Sequence, residues 1–167
     1  MSESTSLDSS QGFNSPLMCW DLFIEGYDAK MGMAADRADL IRMASSNHWK
    51  HNFDFESELF RCGNTIIVTD PSILIVLATR NMFKMNGYLP QEVIGKKPSM
   101  FQGEGTSKET TRAIRNAINQ RQHFEATLVN YRKNGEAYPC FIRGYPVFNK
   151  SGELVNFIAF ESELTEK

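Results

Sequence analysis

The residues able to do chemistry are few and scattered. Three cysteines, Cys19, Cys62 and Cys140, stand far apart in a chain of 167 residues. An odd, dispersed set builds neither a disulfide framework nor a zinc finger, and it fits a reducing compartment. His48 and His51 have a spacing that on a helix could begin a metal site, but no third ligand accompanies them, and a solvated pair explains them as well. Arg112, Arg115 and Arg121 give a modest basic face, as an ordinary solvated helix would. No Ser–His–Asp or Cys–His pairing and no pair of carboxylates at a recognisable spacing can be assembled. No catalytic residue and no metal ligand is therefore predicted, and the chain is read as non-enzymatic. Glu161 stands apart: a carboxylate in an otherwise apolar strand is either a polar group in a cavity or an ion-paired or edge-exposed side chain.

Those residues need elements to hold them. Residues 1–16 are Ser-rich with little apolar surface and read as a disordered tail. Residues 17–63 read as an N-terminal helical extension: an apolar run over 17–24 interrupted at Gly26, a helical pattern over 28–49, and a short amphipathic stretch over 53–60 closed by Gly63. From residue 64 the pattern changes. Residues 65–69 and 73–77 form a predicted hairpin around Asp70 and Pro71, followed by short helices over 81–86 and 90–94. Thr106 and Glu109 match a capping box that would open a helix to about residue 120. Three strands close the chain, over 124–132, 138–148 and 154–164, and Asn134-Gly135 marks a hairpin in which both turn residues take positive φ. Pro139 inside the second of these predicts a bulge or an unpaired edge amide.

The fold class is α+β, a five-stranded antiparallel sheet with short helices on one face. Alternation puts Phe124, Ala126, Leu128, Asn130, Tyr138, Cys140, Ile142, Phe157, Ala159 and Glu161 on one side, lining either a ligand cavity or a filled core. Val129, Tyr131, Phe141, Tyr145, Val147, Ile158 and Phe160 fall on the other, too apolar to face water. The N-terminal helices are expected to cover that side, with dimerisation through the same region. Net charge is −2 and the sequence pI about 5.9, which offers no general attraction to nucleic acid. The N-terminus carries no signal-peptide pattern, and the longest apolar run falls far short of the ~20 residues of a membrane span. The predicted setting is the cytoplasm.

Residues 64–164 resemble a PAS domain, and within that family its LOV branch of flavin photosensors. The resemblance rests on Ile67-Val68-Thr69-Asp70-Pro71, Asn86-Gly87-Tyr88, Glu92-Val93-Ile94-Gly95, Phe101-Gln102-Gly103, Asn130-Tyr131-Arg132-Lys133-Asn134-Gly135 and Pro146-Val147-Phe148. It implies the same five-stranded sheet, with a ligand cavity between sheet and helices. At the flavin-binding positions it implies roles for Gln102, Arg115 and Asn130, the last two against phosphate and ring edge. Two further ring contacts have changed to Cys140 and Glu161. The photoactive cysteine position holds Pro98, which has no nucleophile for adduct chemistry. The cofactor thus stays unknown, with FMN as one candidate. The expected function is a stand-alone PAS-type sensory or protein-interaction module in signal transduction, with a small ligand in its cavity. Its output would run through a homodimer or a signalling partner protein, because no effector segment is read before Lys167. The alternative is a LOV-like flavoprotein working without the cysteinyl adduct.

Overall fold

The computed structural model describes residues 17–165, with side chains described from residue 26 onward. The predicted tail of residues 1–16 lies outside the described residues. The first element, α1 (Leu17–Ser46), is one helix of 30 residues that runs through Gly26 without a break. The predicted interruption is wrong because a single glycine costs about 1 kcal/mol against alanine in a helix, too little to end a long one. The helix ends at Ser46, three residues short of the helical pattern read over 28–49. The Asn47 side chain donates to the carbonyl of Met43, and His48 turns into the left-handed region at φ 51°. His48 and His51 therefore lie past the helix end, and the helical spacing that suggested a metal pair is not realised. A π-helical turn, Ser57–Arg61, follows. Gly63, at φ 67°, turns the chain into the sheet.

The sheet contains β1 (Thr65–Thr69), β2 (Ile75–Ala78), β3 (Phe124–Tyr131), β4 (Ala137–Phe148) and β5 (Leu154–Glu163), in the order β2-β1-β5-β4-β3. Every neighbouring pair is antiparallel. The last three strands form the predicted meander, and the first hairpin joins it by β1 pairing with β5, with Ile67 opposite Ala159. β2 begins two residues later than expected. Asp70 accepts the amides of Ser72 and Leu74, and the tight turn this makes holds Ile73 at φ 63°, outside strand geometry. In the β3–β4 hairpin only Gly135 takes positive φ, at 89°, so Asn134 does not share the left-handed role predicted for it. The carbonyl of Pro139 accepts from the amide of Leu164, just past β5. Its ring nitrogen lies on the same side of the strand, beyond the last paired residues Cys140 and Glu163, so the missing donor costs at most the terminal bond of that ladder.

Helices α2 (Met82–Asn86) and α3 (Pro90–Val93), a 3-10 turn (Pro98–Phe101) and α4 (Lys108–Asn119) lie over one face of the sheet. The cap of α4 is Ser107, whose side chain accepts the amide of Thr110. The predicted Thr106–Glu109 box does not form, because the Thr106 hydroxyl accepts the Gly103 amide and donates to the Val129 carbonyl of β3.

The opposite face is covered by the N-terminal segment, as its apolar pattern requires. Leu40, Trp49, Phe55 and Leu59 pack with Ile66, Val68, Val147, Ile158 and Phe160, while Phe53 and Tyr145 close over them. Burying each such side chain is worth about 1.5–3 kcal/mol, so the extension is part of the core. Two polar clamps fix it. Trp49 donates to Asn156 Oδ1 at 2.9 Å, and the buried Asp36 accepts both the backbone amide and the guanidinium of Arg80. Val129 and Tyr131, expected under the same cover, instead lie against the loop at Gly103–Gly105, whose Gly105 amide donates to the Tyr131 hydroxyl. They sit on the edge strand, which α1 does not reach.

Candidate functional site

Between the sheet and α4 lies a cavity of about 400 Å³. That is within the ~300–1,000 Å³ range of small-molecule sites. Alternation on four strands builds one wall: Ile67 and Thr69 from β1, Ala159 and Glu161 from β5, Ile142 from β4, Leu128 and Asn130 from β3. The other wall comes from the 3-10 turn and α4, through Pro98, Phe101, Ile114 and Arg115. Gly144 has a definite reason to be glycine here. A Cβ would meet the ring of Phe124, its cross-strand partner, at 2.3 Å.

The structure brings Gln102, Arg115, Asn130 and Glu161 to this one cavity. Asn130 and Glu161 are buried, Gln102 is half-buried, and Arg115 is exposed. Cys140 is close by but does not line the cavity. It packs with Tyr138, Leu128 and Ile142 under Met85, and its thiol donates to Glu161 Oε2 across 3.8 Å. Tyr138, also expected on the lining, is drawn into the same packed end, beneath α2. Ala126 is likewise absent from the cavity wall. Part of the sheet face is therefore filled core and part is open, and sequence alternation alone does not separate the two.

Glu161 is the electrostatic centre. It is fully enclosed, and burial pushes its pKa up to about 7, with only the Cys140 thiol opposing the rise. Near neutrality it passes between an acceptor-only carboxylate and a carboxylic acid that also offers an O–H donor. Burial, reinforced by the neighbouring Glu161, pushes the Cys140 thiol up well beyond its ordinary range. Burial does the same to the Tyr138 phenol, so both stay neutral at physiological pH. Among the described residues three buried polar atoms have no hydrogen-bond partner: Thr69 Oγ1, Asn86 Nδ2 and the Tyr138 hydroxyl. Thr69 lines the cavity. Sequence reasoning missed Thr69 as a site residue, although its alternation with Ile67 on β1 carried the signal. It also missed Lys97 as part of the lining and the orphaned amide of Asn86, which only the seating of α2 places indoors.

With this geometry in view, the comparisons with known proteins are direct. A profile of the PAS domain family matches residues 63–166. The chain belongs to the PAS domain family, the sensory modules of signal transduction. It is 38% identical over 98 residues to Protein TWIN LOV 1 of Arabidopsis thaliana, covering 56% of this chain and 25% of that protein. It is 32% identical over 103 residues to a blue-light-activated histidine kinase of Brucella abortus, covering 60% of this chain and 21% of that one. Among solved structures, a light-oxygen-voltage domain studied with a flavin analogue superposes with a TM-score of 0.63 at 23% identity, over 69% of this chain and 87% of that chain. The matched part of this chain thus spans about a quarter or less of these curated relatives. No described helix is long and apolar enough to cross a membrane.

Proposed function

We propose that this chain is a cytoplasmic, non-catalytic sensory and interaction module that holds a small ligand between sheet and α4 and passes its state to the N-terminal helix. The observation that carries this reading is a 400 Å³ cavity with buried, uncompensated polar groups in its wall, Glu161 above all. A stretch of the fold evolved only to pack would fill that volume or pair those groups. A continuous set of contacts leads from the cavity to the extension. Thr69 lines the cavity, its carbonyl accepts from Asn156 Nδ2 at 3.0 Å, and Asn156 Oδ1 accepts from Trp49. A ligand that shifts β1 changes what Trp49 and α1 pack against. The output is association with a second copy or a signalling protein, for which α1 offers the exposed Tyr27 and Met31.

A second reading, a flavin-binding module without adduct chemistry, is favoured by the shared cavity position of Gln102, Arg115 and Asn130 and by the LOV relatives. Asn130 and a protonated Glu161 would meet the ring edge, and Arg115 the phosphate. Bound flavin would supply redox and light-absorbing chemistry. Pro98 lies on the cavity wall at the position where the resemblance puts the photoactive cysteine.

The deciding experiment is an absorption spectrum of freshly purified protein, with mass spectrometry of what denaturation releases. A colourless protein releasing a small molecule supports the first reading. A flavin spectrum installs the second. A colourless protein that releases nothing and binds no small molecule from a fragment library overturns both.

A further inference from the structure

We propose that the cavity selects ligands carrying an N–H donor head, an amidine or amino-heterocycle on a flat apolar body, and that Glu161 is the residue that selects them. The inference rests on the ligand-binding reading above and deepens it. Glu161 is 4% exposed and lies on the cavity wall. Among the described residues no arginine, lysine or histidine forms an ion pair with it, although eight other such contacts exist across the fold. Its one side-chain partner among the described residues is the thiol of Cys140 at 3.8 Å, a weak donor. A buried carboxyl with so little compensation is costly in the free protein, and for its ionised form, which only accepts, the missing partner is a donor.

The surroundings narrow the class. Ile67, Leu128, Ile142 and Ala159 give apolar walls suited to a flat body. Asn130 stands on the neighbouring part of the same wall and offers both an acceptor and a donor to the edge of such a ring. Amidines and 2-amino-heterocycles present two parallel N–H groups in a fork, and that fork matches a carboxylate in bidentate fashion. A carboxylate or phosphate head is disfavoured at this place by like charge. The groups facing Glu161 do not reverse this. Cys140 and Tyr138 are neutral, the β1 neighbour is Thr65, and the cations Lys97 and Arg115 are exposed.

The test uses the full chain and three probes of one shape: benzamidine, benzamide and benzoate, titrated by calorimetry at pH 8, where Glu161 is ionised. Benzamidine is expected to bind at least ten-fold more tightly than benzamide, with benzoate weakest. Glu161→Gln is expected to erase that preference, so that benzamidine and benzamide bind within a few-fold of one another. Should that variant fail to fold, the wild-type protein at pH 5.5 serves instead. Protonation of Glu161 there must shrink the benzamidine preference by a similar factor. Benzamide binding as well as benzamidine to the wild type overturns the inference and leaves the cavity reading intact. Failure of all three probes, in a protein that also releases no small molecule, overturns both.

Discussion

The two faces of one sheet have been treated in opposite ways. On the outer face the strands under the N-terminal segment are packed: Trp49 meets Phe53 and Phe55 edge-on, Phe53 lies tilted against Phe55 and Phe160, and Tyr145 meets Phe160 edge-on. Its buried polar groups are satisfied too, since Asn156 both accepts from Trp49 and donates to Thr69. On the inner face the same alternation leaves a cavity and, among the described residues, an enclosed carboxyl without a cation and an orphaned Thr69 hydroxyl. Equal apolar content thus serves different ends. A filled face with closed hydrogen bonds holds the fold together, and a hollow one with open hydrogen bonds is poised to receive something. Stability should be concentrated in the first and specificity in the second.

That contrast can be broken most forcefully at Trp49. Trp49→Ala should cost about 3–5 kcal/mol, through the cavity it opens and the acceptor it strands on Asn156, as read by urea denaturation. A loss under 1 kcal/mol would mean the N-terminal segment is not part of the core.

The second effect is a pH dependence, with a sign fixed by Glu161. Its pKa in the folded chain is raised to about 7 from 4.5, so between those values the folded protein keeps a proton that the unfolded chain has released. Stability should therefore be greatest below pH 4.5 as far as this group is concerned and fall as pH rises to 7, by up to about 3 kcal/mol. Glu161→Gln should flatten that fall and be the more stable protein at pH 8. If wild type and variant show parallel pH curves, Glu161 is solvated or paired and the hollow face loses its defining feature.

A smaller loss is expected at the clamp between α1 and the start of α2. Burial raises the pKa of Asp36, while Arg80 holds it down through a backbone amide and a guanidinium. Asp36→Ala strands the Arg80 amide and should cost about 1–3 kcal/mol. Hydrogen exchange should quicken along α1 before the sheet responds, and uniform quickening would show that helix and sheet open as one unit. The mildest change is Ser107→Ala. Loss of the cap on α4 should cost about 1 kcal/mol and raise exchange only in the first turn of that helix, over the cavity. An unchanged first turn would assign the cap to the backbone alone.

Much of this was legible in the chain. The β-branched run over residues 65–69 and the Gly135 hairpin are local patterns with local causes, and each produced its element. The misplaced details share a different cause. Thr106 had capping chemistry but was taken by the Val129 carbonyl of β3, 23 residues away. Gly26 looked like a break, yet a long helix tolerates the modest cost of one glycine. For the site, alternation put Asn130 and Glu161 indoors correctly, and Arg115 came from family resemblance alone. Cys140 had the right parity and the wrong neighbour, because α2 packs over its end of the sheet.

By itself, then, the amino-acid sequence determined the strands, the helix faces and the need for a cover over the outer sheet, since these follow from side-chain periodicity and backbone preference. Whether the inner face closed or stayed open was decided only by the tertiary structure. That outcome depends on how far α4 stands from β3 and β5 and on which end α2 plugs, distances between elements that no residue encodes alone. The same arrangement turned Glu161 from an ordinary carboxylate into an enclosed one that titrates near neutrality, because the energy of a charge is set by what surrounds it.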